Sequence, residues 1–208
     1  MARTYERGRE EFGRVLAFSD GLFAIAMTLL VVGIGVPTVQ DAQLGNALRD
    51  LLPEIISFFV SFLVVGYYWL AHHRFFAQLR HLTTPLIVLN LVYLAAIAFV
   101  PFPTALVGKY ENEPVSVIMY AVTLGTASFL EAAMLVAARR GACFHARVPD
   151  DLYRFALIAS MLPVVVFAIS IPISLASTSW ALYSWLLIFP LEHLADRWRP
   201  ATTGDVLS

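Results

Sequence analysis

Charge is what this 208-residue chain has least of. Only 14% of its residues are Asp, Glu, Lys or Arg, against 59% hydrophobic, and the mean hydropathy is +0.74. Soluble domains carry about 25% charged residues, so a chain of this composition cannot cover itself with polar surface in water. The net charge of −1 has no excess of either sign, which argues against nucleic acid or a strongly acidic partner. A single cysteine, Cys143, leaves no internal disulfide framework. The charged start MARTYERGREEF lacks an apolar region with a small-residue cleavage site, so no cleavable signal peptide is expected. No serine–histidine or metal-ligand grouping has convincing spacing. The chain is therefore read as a non-enzyme with no cofactor and no bound metal.

What is present is a series of long apolar runs. A helix needs about 20 mainly apolar residues to cross the hydrocarbon core of a bilayer. Six segments qualify, over 15–36, 54–73, 85–106, 115–138, 153–174 and 179–195. The expected fold class is an all-α membrane protein, a single six-helix domain over 1–208, with connections too short for a second soluble domain. The sixth segment is the shortest, with Pro190, Glu192 and His193 near its end. Pro163, Pro172 and Pro190 should kink or end the last two helices, which read as peripheral. Trp180, Tyr183, Trp185 and Trp198 fit aromatic belts at the membrane surfaces. The tail over 201–208 is expected to lack structure.

Basic residues set the orientation. With a cytoplasmic N-terminus, that side collects Arg3, Arg7, Arg9, Arg14, Arg74, Arg80, Arg139, Arg140, Arg147, Arg154, Arg197 and Arg199, leaving Arg49 and Lys109 on the other. That split places both termini in the cytoplasm.

The first span carries the polar interruptions Arg14, Ser19, Asp20 and Thr28. Ionisable residues at membrane depth are costly and mark candidate functional positions. At helical periodicity Arg14, Phe18, Gly21, Ile25, Thr28 and Val32 share one stripe, with Leu29 on its edge; Asp20 projects roughly opposite and Ser19 to the side. Asp20 is thus expected to point back into its own bundle. His72 and His73 end the second span at the same depth, with Trp69 one turn earlier, and Asn90 lies as far into the third. These side chains supply donors for a carboxylate, so Asp20, Ser19, His72 or His73, and Asn90 read as a polar clamp joining three spans. Arg14 either joins it or faces the cytoplasmic mouth. A proton relay through Asp20 and a histidine is the alternative chemistry. The Ile25 stripe is either ordinary bundle core or the lining of a pore, with Ile25 and Val32 as apolar constrictions and Thr28 as a hydroxyl layer. One chain supplies one such helix, so a central pore requires several subunits. Glu131, about 12 Å inside the fourth span, should pair across helices or be protonated, with gating as a further reading.

The run Arg14-x-x-x-Phe18-Ser19-Asp20 resembles the signature of the endosomal and lysosomal potassium channels of the transmembrane protein 175 family. Trp69, His72, His73, Arg74 and Phe76, then Asn90, then Pro101-Phe102-Pro103-Thr104 agree with it in order and position. The match is closest over about 12–108. The resemblance implies a six-helix subunit, a homotetramer in a prokaryotic plasma membrane, and a first helix lining the pore for potassium. It also implies an aliphatic constriction at Ile25, followed by Thr28 and Val32. Phe18, Asp20 and the other signature residues would organise packing through the histidine and asparagine. No TVGYG-like filter segment occurs, in agreement with the resemblance; an isoleucine ring and one hydroxyl ring favour the ion that sheds water more easily, so modest selectivity for potassium over sodium is expected. A proton-coupled secondary transporter using Asp20 and His72 or His73 is the competing reading.

Overall fold

The computed structural model describes residues 4–6 and 10–197. Arg3, Arg7, Arg9, Trp198, Arg199 and the C-terminal tail lie outside the described residues. Nearly everything described is helical. The chain begins with strand β1 (Thr4–Glu6) and helix α1 (Glu10–Leu29), which tightens into a 3-10 turn over Leu30–Gly33. The short α2 (Leu44–Asp50) precedes α3 (Leu52–Ala77), strand β2 (His81–Thr83), α4 (Thr84–Phe99) and α5 (Pro101–Lys109). Then come α6 (Pro114–Arg140), α7 (Asp150–Ala176), α8 (Thr178–Ser184) and α9 (Ile188–Arg197).

Among the described residues, five stretches are long and apolar enough to cross a membrane: Glu10–Gly33, Leu52–Ala77, Thr84–Lys109, Pro114–Arg140 and Asp150–Ala176. The protein is a multi-pass membrane protein. The sixth expected segment differs in form. Over 178–197 the backbone runs as α8, a 3-10 turn at Trp185–Leu187 and α9, rather than as one long helix. The third span is also interrupted, at Val100. Pro101 cannot donate to a helical hydrogen bond, and Val100 N instead bonds Ile97 O at 3.1 Å before α5 resumes. Pro163 and Pro172, by contrast, sit inside α7 without ending it.

The fourth span is the most enclosed. Half of its most apolar stretch is buried, against 17% for the fifth, which leaves α7 on the outside of the bundle. Large side chains exposed there, such as Ile158, Val165 and Ile169, need no protein partner, because lipid is as apolar as they are. Several polar residues inside the bundle are paired across helices. Thr104 Oγ1 hydrogen-bonds Ser61 Oγ at 3.0 Å, and Ser61 Oγ lies 2.9 Å from Tyr120 Oη. Tyr68 Oη is 2.6 Å from Ser128 Oγ. The backbones of α3 and α5 touch closely where a Cβ on Gly108 would come within 2.8 Å of Glu54 Cα.

One end of the bundle carries a polar layer of backbone pairs. β1 pairs antiparallel with β2 in the register Thr4↔Thr83, Tyr5↔Leu82, Glu6↔His81. The turn after α6 joins the same layer: Arg80 N bonds Cys143 O at 2.8 Å and His145 N bonds Gln78 O at 3.0 Å. Burial pushes the Cys143 thiol up, only partly offset by hydrogen bonds with Thr83 and by Arg80.

That turn closes α6 with a paired cap. Cys143 N bonds Ala138 O at 2.9 Å and Ala142 N bonds Arg139 O at 3.2 Å, the double bond pattern in which the residue after the cap is left-handed. Here that residue is Ala142, at φ 49°; a Cβ makes this conformation unfavourable. The glycine stands one place earlier because Gly141 is pressed against Cys143, where an added Cβ would lie 2.9 Å from Sγ. Ala142→Gly should therefore stabilise the protein by about 1 kcal/mol, while Gly141→Ala should destabilise it. Thermal unfolding of both variants in detergent checks the opposite signs.

Candidate functional site

Helix α1 has two faces of different fate. Phe12, Ser19, Phe23, Ala26 and Leu30 are buried against the rest of the chain. The stripe of Arg14, Phe18, Gly21, Ile25, Thr28 and Val32 is exposed, as is Leu29; Ile25 is 59% and Val32 73% accessible. Among the described residues, then, an aliphatic face interrupted by one hydroxyl has no covering. Thr28 Oγ1 donates to Ile25 O at 2.8 Å. Its proton being used there, the hydroxyl oxygen keeps lone pairs for an outside cation or donor.

Behind this face the structure divides the expected clamp in two. The buried part is a hydrogen-bonded chain. Ser19 Oγ donates to Val15 O at 2.9 Å, Asn90 Nδ2 donates to Ser19 Oγ at 3.1 Å, and His72 Nε2 lies 2.9 Å from Asn90 Oδ1. Each step fixes the next. Because the amide NH2 serves Ser19, the amide oxygen must accept, so His72 donates through Nε2. Three spans are thereby tied together at one depth. The imidazole is held in an aromatic box, with ring centroids 4.3 Å from Phe76, 5.5 Å from Phe23 and 5.6 Å from Tyr93. Its Nδ1 is buried with no hydrogen-bond partner among the described residues.

Asp20 is not a member of that chain. It accepts from Trp69 Nε1 at 2.9 Å, on the exposed side of the α1–α3 seam. Expected to point back into the bundle, Asp20 instead stands on its flank. At about 100° per residue it is turned a full step away from buried Ser19, which brings it to α3 rather than to α4. His73 is exposed and joins Trp69 through a ring contact at 5.6 Å, so the two adjacent histidines serve different faces. Arg14 is exposed on the stripe, and Glu131 is half-buried on α6. Among the described residues, no three His, Cys, Asp or Glu side chains gather as a metal site.

Sequence reasoning did not pick out Phe23 or Tyr93 as the walls of the His72 box, or the Ser61–Thr104–Tyr120 cluster. Tyrosines and hydroxyls recurring inside apolar spans were the available signal, since each needs an internal partner in lipid.

The buried chain gives a direct test of the site. Asn90→Leu removes the central link, leaving His72 Nε2 without a partner in an apolar interior and Ser19 Oγ with only its bond to Val15 O. Leaving buried polar groups unpaired costs about 1–3 kcal/mol, so the variant should unfold at lower temperature, as followed by intrinsic fluorescence in detergent. Trp69→Phe, at the exposed pair, should shift the midpoint far less.

Residues 14–101, which contain the whole stripe and both hydrogen-bonded groups, match the family described as endosomal/lysosomal potassium channel TMEM175. A potassium channel of Streptomyces collinus is 44% identical over 104 residues, 50% of this chain and 50% of the relative. The endosomal/lysosomal proton channel TMEM175 of Bos taurus is 36% identical over 110 residues, 49% of this chain and 23% of the relative. The chain thus spans half or less of the length of these curated relatives. The crystal structure of a lysosomal potassium-selective channel TMEM175 homolog from Chamaesiphon minutus superposes with a TM-score of 0.75 at 26% identity, over 89% of this chain and 98% of that one. The fold is thus shared across nearly the whole of that subunit, and the sequence of the first three spans is similar to that of the TMEM175 family.

Proposed function

We propose that the protein is one subunit of a potassium-permeable cation channel, a homotetramer in which four copies of α1 surround a common axis. The carrying observation is the exposed stripe of α1: branched apolar side chains and one hydroxyl left uncovered by their own chain, on a helix whose other face is locked to its neighbours. Arg14, at the cytoplasmic end of the same stripe, stands at the mouth of that axis. Along that axis Ile25 is the tightest layer. Thr28, its proton donated to Ile25 O, offers oxygen lone pairs to a passing cation. Leu29 and Val32 complete the apolar lining.

A ring of alkyl groups cannot replace a hydration shell; it favours the ion that sheds water more readily, which gives modest preference for potassium over sodium. The segment over 178–197 acts as a sixth crossing at the periphery. The distribution of Lys and Arg puts both termini on the cytoplasmic side of a prokaryotic plasma membrane.

The same arrangement disfavours a proton-coupled transporter built on Asp20 and the histidines. The chain from His72 runs to Asn90 and Ser19 and terminates on a backbone carbonyl, while Asp20 is bonded to an indole N–H. An indole donates but does not accept, so it cannot relay a proton.

Replacing Ile25 with Asn puts a hydrated amide at the narrowest layer. Single-channel recording in planar bilayers should show larger unitary conductance and a lower potassium-to-sodium permeability ratio, with a proton gradient as control. Currents identical to the parent in both respects would take Ile25 out of the pathway.

A further inference from the structure

The bundle has a second uncovered feature, remote from α1. A cleft of about 710 Å³ opens between α4, α6 and α7, and none of its lining residues belongs to α1 or α3. Leu89, Phe129, Ala133, Val136 and Met161 give it apolar walls, and it ends at Thr83, Gly141 and Arg140, beside the β1–β2 layer. We propose that this cleft is a binding site for an anionic phospholipid of the leaflet on that side, with one acyl chain between α6 and α7 and the phosphate at Arg140.

Depth, shape and charge agree on this occupant. On α6 the lining residues Phe129, Ala132, Ala133, Val136, Ala137 and Arg140 form one helical stripe. Phe129 lies roughly 16 Å deeper than Arg140 at 1.5 Å per residue, close to the half-thickness of a hydrocarbon core of about 30 Å. Alanines at three of those positions keep the groove open. At the mouth, Arg140 is exposed and has no ion-pair partner among the described residues. Its neighbour Arg139 is occupied, paired with Asp150 and stacked 4.9 Å over Tyr153. Arg154 is exposed and shares a face of α7 with the lining residues Leu157 and Met161, one turn nearer the surface. With Asp150 engaged by Arg139, the exposed charges that α6 and the first turn of α7 bring to this end are Arg140 and Arg154 against Asp151 among the described residues, a net positive rim. The first turn of α4, beginning at Thr84 beside the mouth, adds the positive end of a helix. A phosphodiester bearing a net negative charge matches this rim better than a zwitterionic headgroup does.

The test is lipid binding to the intact protein. Purified, delipidated protein is titrated with phosphatidylglycerol and with phosphatidylcholine of matched acyl chains, and bound lipid is counted by native mass spectrometry. The expected result is roughly tenfold tighter binding of phosphatidylglycerol. Arg140→Gln combined with Arg154→Gln should erase that preference, and Ala133→Phe, which fills the groove, should abolish tight binding of both lipids. Equal affinity for the two lipids in the parent, or a preference untouched by the arginine pair, overturns the proposal. Displacement of the lipid by inorganic phosphate alone would reduce the site to an anion site and overturn it. A change in subunit number on Ala133→Phe would assign the cleft to a second copy and overturn it as well. Because both arginines are exposed, their variant decides the matter even where Ala133→Phe fails to fold.

Discussion

The bundle is organised around the hydrogen-bonded chain from Val15 O through Ser19 and Asn90 to His72. In a membrane interior the hydrophobic effect does not hold helices to one another, since lipid tails satisfy apolar faces as well as protein does. What lipid cannot satisfy is a polar group. Three such groups on three spans, each able to complete the next, fix the relative depth and rotation of those spans in a way that leucines alone would not. The rotation of α1 decides everything at its other face. With Ser19, Phe23, Ala26 and Leu30 turned inward, Ile25, Thr28 and Val32 are turned out.

Much of this was legible in the chain. Five of six apolar runs reappear as membrane-length helices, and each is longer than its apolar stretch. The second was expected over 54–73 and runs over Leu52–Ala77; the fourth, expected over 115–138, runs over Pro114–Arg140. Hydropathy sees only the part that must be apolar, whereas the helix continues through Arg74 or Arg140 into the interface, where water serves the backbone. The separation of the Ile25 stripe from Ser19 was legible for a similar reason, because it depends only on the helical repeat.

Other features were hidden because they depend on more than one segment. The sequence marks Asp20, His72, His73 and Asn90 as polar and similarly deep, but not which of them meet. Asp20 goes to Trp69, and only His72 reaches Asn90. The β1–β2 ladder is three residues long on each side, too short for alternation to register, and its pairing partner lies far along the chain. Pro190 marks the sixth run as irregular, but the break falls earlier, at Trp185–Leu187, because hydropathy is blind to backbone form within an apolar run.

The anchors of α1 are unevenly distributed. The Asn90–Ser19 and Trp69–Asp20 bonds both belong to its N-terminal half. Beyond them, the segment carrying Ile25 and Val32 makes no side-chain hydrogen bond to another helix among the described residues, and it ends in a 3-10 turn with Gly33 against Ala105. A rod clamped near its base and merely leaned upon near its tip bends at the tip. In the proposed tetramer, any widening or narrowing among the copies would therefore be largest at the layers of branched side chains, and would cost little in the polar joinery beneath them.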